Sequence, residues 1–296
     1  MFKNFYQKYL RGNIVAKFVF ANVAFYVLFL LIGVFSTLFN IGGLANGFLS
    51  LFELPASLVL FASRPWTLFS YMFVHTGVSH LLWNMVALYM FGKIFMNFYS
   101  ERQFVGMYIL GGLFGALFYV VAYNMFPYFA PYIWASRLVG ASAAVTAIIV
   151  ASAVRSPQYR INLLLFGSVK LSTLAIVTVV ISFLMLSGGN AGGNFAHLGG
   201  AFAGWLVAYL LNKGIDVISM FFKPWDWVKS LFSRRSAPAR PRYNYVRGGR
   251  NADYEYNANR RATDAEVDRI LEKIKQNGYA SLSEDEKRTL FEASSR

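Results

Sequence analysis

Between residues 14 and 213 the sequence returns six times to a long run of bulky apolar residues, near 14–38, 79–98, 103–124, 138–154, 168–186 and 195–213. A bilayer-crossing helix needs about 20 mostly apolar residues, because inside hydrocarbon every backbone N–H and C=O must be bonded within its own segment. The pattern predicts an all-α membrane protein with a bundle of six transmembrane helices. Only 14% of the chain is charged, where a soluble domain carries about 25%. The first run is too long, and too plainly continued by others, to be a cleaved signal peptide.

Charge divides the chain into a body and a tail. Residues 1–213 hold 12 Lys or Arg and two acids, Glu53 and Glu101, and the remaining 16 basic and 12 acidic residues all follow. Lys3, Lys8, Arg11 and Lys17 flank the first run, which by the positive-inside tendency sets the N-terminus in the cytoplasm. An even number of spans returns the C-terminus there, consistent with an inner (cell) membrane. Arg102, Arg155, Arg160 and Lys213 then lie inside, against Arg64 and Arg137 outside. The formal charge of +14 raises nucleic acid as a partner. The basic residues are scattered over loops and a linker rather than set along one face, so no nucleic acid is expected and anionic lipid headgroups are the better match. With no cysteine, disulfides and Cys-based metal sites are excluded.

The connection between the first two runs, IGGLANGFLSLFELPASLVLFASRPWTLFSYMFVHTGV, is too rich in Leu, Phe and Trp for an aqueous loop and is broken by Pro55 and Pro65. Such a segment suits the outer interface, with Trp66 at headgroup level. Residues 1–213 therefore form the membrane domain. MFFKPWDWVKSLF marks an interfacial amphipathic segment over 214–232, and 233–262 reads as a basic disordered linker. Capping-box pairs at Thr263/Glu266 and Ser283/Glu286 open two short helices in 263–296, with Gly278 as a stop. Nothing in this two-helix module suggests chemistry; docking to a cytosolic partner is its expected use.

Ionisable residues inside a bilayer are functional candidates by default, and this body offers few. Its histidines are His75, His80 and His197, and no Asp precedes Asp216. That scarcity removes HExxH metalloproteases, membrane aspartyl proteases and a Ser-His-Asp triad. A serine with a histidine base remains. By the predicted boundaries His197 lies two or three residues into the sixth run, roughly 5 Å deep at 1.5 Å per residue, and Ser142 four or five residues into the fourth. Ser152 and Ser168 fall at the inner side, and Ser182 has no histidine at its level. His80 and Asn84, at i and i+4 on the second run, share one face and suit an oxyanion hole completed by the Ser142 N–H. Gly140, Gly200 and Gly204 are helix-packing candidates that let the fourth and sixth runs approach closely. Each residue taken alone has a plainer reading as packing or a structural hydrogen bond. Convergence of four polar residues from three runs at one depth carries more weight. His75 lies outside the span and is left open between loop anchor and site lining.

With these residues in view, the chain resembles the rhomboid family of intramembrane serine proteases. HTGVSHLLWN carries His80 and Asn84 in the family's HxxxN pattern. GASA matches the GxSG serine motif at Gly140 and Ser142, and NFAHLGGAFAG matches AHxxGxxxG at His197, Gly200 and Gly204. The resemblance covers about residues 14–213. It implies a six-helix fold with a partly embedded first loop, Ser142 as nucleophile, His197 as general base, and His80 and Asn84 as oxyanion donors. No cofactor and no metal are implied. The implied substrates are single-span membrane proteins, cut within or near the outer part of their transmembrane segment. Ala143 replaces the motif's second glycine. Thr146 stands where many members have an aromatic that stacks on the histidine, so the resemblance supplies no support for His197 there. The alternatives are an inactive rhomboid-like protein that binds membrane segments, disfavoured by the retained Ser142 and His197, and a transporter, disfavoured because polar groups cluster at one end.

Overall fold

The computed structural model describes residues 13–163, 167–232, 266–276 and 278–294. Lys3, Lys8, Arg11, Thr263 and the linker over 233–262 lie outside the described residues. The chain divides into two compact units, 1–232 and 233–296.

In the first unit helices fall on all six apolar runs. They are α1 (Ile14–Leu38), α5 (Val78–Phe95), α6 (Glu101–Met125), α7 (Ser142–Arg155), α8 (Leu171–Leu184) and α9 (Ala191–Asn212). The connection after α1 holds α2 (Leu44–Ser50), α3 (Leu58–Ser63) and α4 (Thr67–Ser70), and α10 (Val217–Phe232) follows α9. Among the described residues α1, α6 and α9 are long and apolar enough to cross a membrane, while α7 and α8 are apolar but have 14 residues each. At 1.5 Å per residue those two rise about 21 Å, short of the roughly 30 Å hydrocarbon core.

The predicted fourth, fifth and sixth runs therefore need correction. Residues 138–141 are not helical: Arg137–Leu138 forms β2, paired antiparallel with β1 (Leu54–Pro55) in the register Leu54↔Leu138. Residues 168–170 belong to β4 (Gly167–Lys170), which pairs with β3 (Arg160–Leu163). The sixth helix starts four residues before the expected position. In the fourth run apolar residues continue past the helix because burial, not helicity, is what hydropathy reports: Leu54 and Leu138 are both buried in the strand pair. The unit is thus mostly helical with two short antiparallel strand pairs, rather than all-α.

Helix α9 packs chiefly on α6 and α7, and α7 also on α5, α6 and α8. The α7–α9 approach is backbone to side-chain-free backbone. A Cβ placed on Gly200 would stand 2.1 Å from the Ala143 carbonyl oxygen, and one on Gly204 2.4 Å from that of Ala147. Only glycine allows this separation. Helix α1 is tied to α6 by Asn22, whose Nδ2 donates to Tyr108 Oη at 3.3 Å; Tyr108 donates to the Met72 carbonyl at 3.1 Å.

The connection after α1 is ordered by its own hydrogen bonds. Trp66 Nε1 donates to the Leu51 carbonyl at 2.7 Å, Arg64 to that of Ser50 at 2.9 Å, and Ser70 to that of Phe52 at 2.9 Å. After α9, Asp216 accepts from the Ser219 N–H at 2.9 Å and its hydroxyl at 2.7 Å, capping α10. Arg102 at the start of α6 pairs with Asp226 and lies over the Phe222 ring.

In the second unit a helix over residues 266–276 is followed by α12 (Glu284–Ser294), the former being α11. Gly278 has φ +74° and its N–H bonds the Ile274 carbonyl. Ser283 and Glu286 make reciprocal capping bonds: the Ser283 N–H donates to Glu286 Oε2 at 2.8 Å and the Glu286 N–H to Ser283 Oγ at 3.2 Å. Lys273 on α11 donates to both Glu286 oxygens at 2.8 Å.

Candidate active site

Ser142 is the first residue of α7, not four or five residues inside it. The preceding turn is set by Gly140, which has φ +110° and whose N–H donates to the Tyr71 carbonyl at 2.9 Å. Gly140 therefore shapes the entry to α7 and does not pack helix on helix. The His80 ring occupies the space its side chain would need: a Cβ there would stand 2.8 Å from His80 Nε2 and 3.9 Å from Ser142 Oγ. Ala141, at the N-cap, gives α7 no side-chain cap. The first N–H groups of the helix, Ser142 among them, thus have no intrahelical acceptor and sit at the positive end of its dipole.

His197 is the seventh residue of α9, about 9 Å along it, and not the second or third. It shares a cavity of about 620 Å³ with Ser142, His80 and Asn84. The cavity's wall includes Thr76, Ser136, Arg137 and Asn190, so it is polar within an otherwise apolar body. Asn84 is buried and its Nδ2 donates to the His80 carbonyl at 2.8 Å, which fixes the amide while leaving its second N–H unassigned. Thr76 Oγ1 lies 3.4 Å from His80 Nδ1. Nε2, the other ring nitrogen, is the one beside Gly140.

One expectation about supporting residues changes. Ser182 does have a histidine at its level: its Oγ lies 3.3 Å from His197 Nδ1. Even by the predicted boundaries, Ser182 lies four residues from the outer end of the fifth run, about 6 Å deep, close to the level of His197. The signal was present in the sequence as Thr178 and Ser182, one turn apart on an apolar helix. As expected from its lack of a ring, Thr146 makes no stacking contact; its hydroxyl donates to the Ser142 carbonyl at 2.8 Å. His75 is buried against His80, ring centroids 5.0 Å apart, and is not among the residues lining this cavity. Beside the cavity, burial pushes the Glu53 carboxyl above its usual range, opposed by the Arg137 guanidinium. Among the described residues, no group of three or more His, Asp or Glu side chains is placed to hold a metal ion.

Comparison with known families decides the relationship. The Rhomboid domain matches residues 62–214, more than half of the chain, and spans Ser142, His197, His80 and Asn84. The chain belongs to the rhomboid family. Residues 250–296 of this rhomboid match a second family, DUF6576, whose function is unknown. A curated relative, RHOMBOID-like protein 12, mitochondrial, of Arabidopsis thaliana, is 26% identical over 162 residues, 52% of this chain and 48% of that protein. This rhomboid thus spans about half the length of the curated relative it matches.

Proposed function

We propose that this rhomboid is an intramembrane serine endopeptidase, working through a Ser142–His197 dyad on single-span membrane proteins. The supporting observation is that Ser142, at an uncapped helix start, and His197, Nδ1 toward Ser182, open onto one polar cavity with His80 and Asn84. His197 Nε2 takes the hydroxyl proton as Ser142 Oγ bonds to the scissile carbonyl carbon. The carbonyl oxygen gains the negative charge, held by the Ser142 N–H, His80 and Asn84. Collapse breaks the C–N bond and His197 hands its proton to the leaving amine. Water, deprotonated by His197, then cleaves the acyl ester and restores Ser142.

The same reading takes α1, α5, α6, α7, α8 and α9 as six spans of a cell membrane with both termini cytoplasmic. By family resemblance the substrate has a helix that unwinds easily and a small residue at the cut, near its outer end. Lipid headgroups are the expected neighbours of the basic loops, and the C-terminal module is a docking element for a cytosolic partner.

Labelling by a fluorophosphonate probe in detergent tests the proposal, with a reporter membrane segment as substrate. Labelling and cleavage are expected in the native chain and in neither Ser142→Ala nor His197→Ala. Labelling that survives Ser142→Ala overturns the assignment of the nucleophile. Binding of the reporter without labelling or cleavage identifies an inactive membrane-segment binder instead.

A further inference from the structure

A dyad needs its imidazole in one of two neutral forms: the nitrogen facing the serine must be bare, so the other must carry the proton. We propose that Ser182 on α8 is the positioning residue that sets this form, by accepting a hydrogen bond from His197 Nδ1–H. The proposal rests on the reading of His197 as the base of Ser142.

Ser182 is buried, and a serine hydroxyl has a single hydrogen to give. At 2.8 Å from the Thr178 carbonyl, an oxygen that only accepts, that hydrogen is committed to the helix's own backbone. The 3.3 Å contact between Ser182 Oγ and His197 Nδ1 then joins two acceptors unless Nδ1 carries a proton. With Nδ1–H donating to Ser182, the Nε2 lone pair is left free for the Ser142 hydroxyl. Thr178 is held in the same way, its hydroxyl donating to the Leu174 carbonyl at 2.8 Å. The path from the His197 ring therefore has two bonds, Nδ1–H to Ser182 Oγ and Ser182 O–H to the Thr178 carbonyl, and ends there in helix backbone; the Thr178 hydroxyl makes a separate bond of the same kind.

This arrangement does the orienting work of the acid in a Ser-His-Asp triad without a charge. An ionised carboxylate among apolar helices is strongly disfavoured, whereas a hydroxyl already bonded to its own helix is not. It also supplies a contact that Thr146, committed to the Ser142 carbonyl, does not make.

The three histidines of the chain make the test direct. Full-length protein labelled with ¹⁵N-histidine is observed by NMR in detergent at neutral pH, with the His197 signals assigned by their loss in His197→Ala. The native chain should carry its His197 proton on Nδ1, and Ser182→Ala should move it predominantly to Nε2. Fluorophosphonate labelling of Ser142 should slow about tenfold in Ser182→Ala, the equivalent of one neutral hydrogen bond. Ser182→Thr, which keeps the hydroxyl, should recover both the Nδ1–H form and most of the labelling rate. A native His197 protonated on Nε2, or an Nδ1–H form that persists in Ser182→Ala, overturns the proposal. The protease reading fails separately: a Ser182-dependent tautomer in a chain that neither labels nor cleaves supports the Ser182 contact and removes the dyad's catalytic role.

Discussion

Helices α1 and α9 are both long enough to cross a membrane, yet they are built on opposite plans. In α1 only 6% of the most apolar stretch is buried, and Leu28, Leu30, Leu31, Val34 and Phe35 are exposed. In α9 half of the corresponding stretch is buried, and its inward face is Gly192, Ala196, Gly199, Gly200, Ala203 and Gly204. Bulk that faces outward needs only to be apolar. A face that carries a histidine among neighbouring helices has to be small, because backbones then approach closely enough to hold a polar side chain in place. The candidate site therefore draws its histidine from the less apolar helix of the pair.

Substitutions at each end of this contrast should differ in kind. The largest effect belongs to Ser142→Ala and His197→Ala, each expected to reduce cleavage of a reporter segment by on the order of 10³ or more. Asn84→Ala should lower kcat by roughly 10² with a smaller change in KM, as loss of one oxyanion donor does; equal losses in binding and turnover would break that assignment. Gly200→Ala tests packing rather than chemistry. Its new methyl meets the Ala143 carbonyl oxygen, so α7 and α9 must part, and thermal unfolding in detergent should show a loss of about 1–3 kcal/mol.

A further prediction concerns the C-terminal unit, where the fold relies on charge. Hydrogen bonds from Lys273 and the Ser283 N–H hold the Glu286 carboxyl down at about 2, below its ordinary value of 4.5. A depressed carboxylate stabilises the folded form fully above its unfolded value and loses that contribution as pH falls through the folded one. Amide exchange in α12 should thus be insensitive to Glu286 above about pH 5. It should accelerate as pH falls from 4.5 toward 2, and Glu286→Gln should flatten the profile. The smallest effect is expected at the other end of the comparison: Leu31→Ala on α1, 60% exposed, should change stability by less than about 0.5 kcal/mol. A larger loss there would mean that α1 is covered by a partner.

Much of the fold and the site was legible in the sequence. Six apolar runs gave six helices because a lipid-compatible helix leaves a signal about 20 residues long, and GASA, HLLWN and AHLGG each brought a polar residue to the shared cavity. Helix starts were not legible. Leu138 and Val139 are as apolar as any helical residue, yet Leu138 is consumed by pairing with Leu54, 84 positions away in the chain, and no local pattern reports such a partner. Ser182 was not hidden in this way: four residues from the outer end of the fifth run, it was already near the depth of His197, and what sequence does not report is the lateral packing of α8 on α9 that brings the two within 3.3 Å.

Peptide hydrolysis has two reactants, and the second is water, which hydrocarbon excludes. Helix α7 has 14 residues, and Ser142 at its first position lines the polar cavity of about 620 Å³. At the share of volume a water molecule takes in the liquid, that is room for on the order of 20 of them. Under the protease proposal, this is the volume from which water would reach the acyl ester.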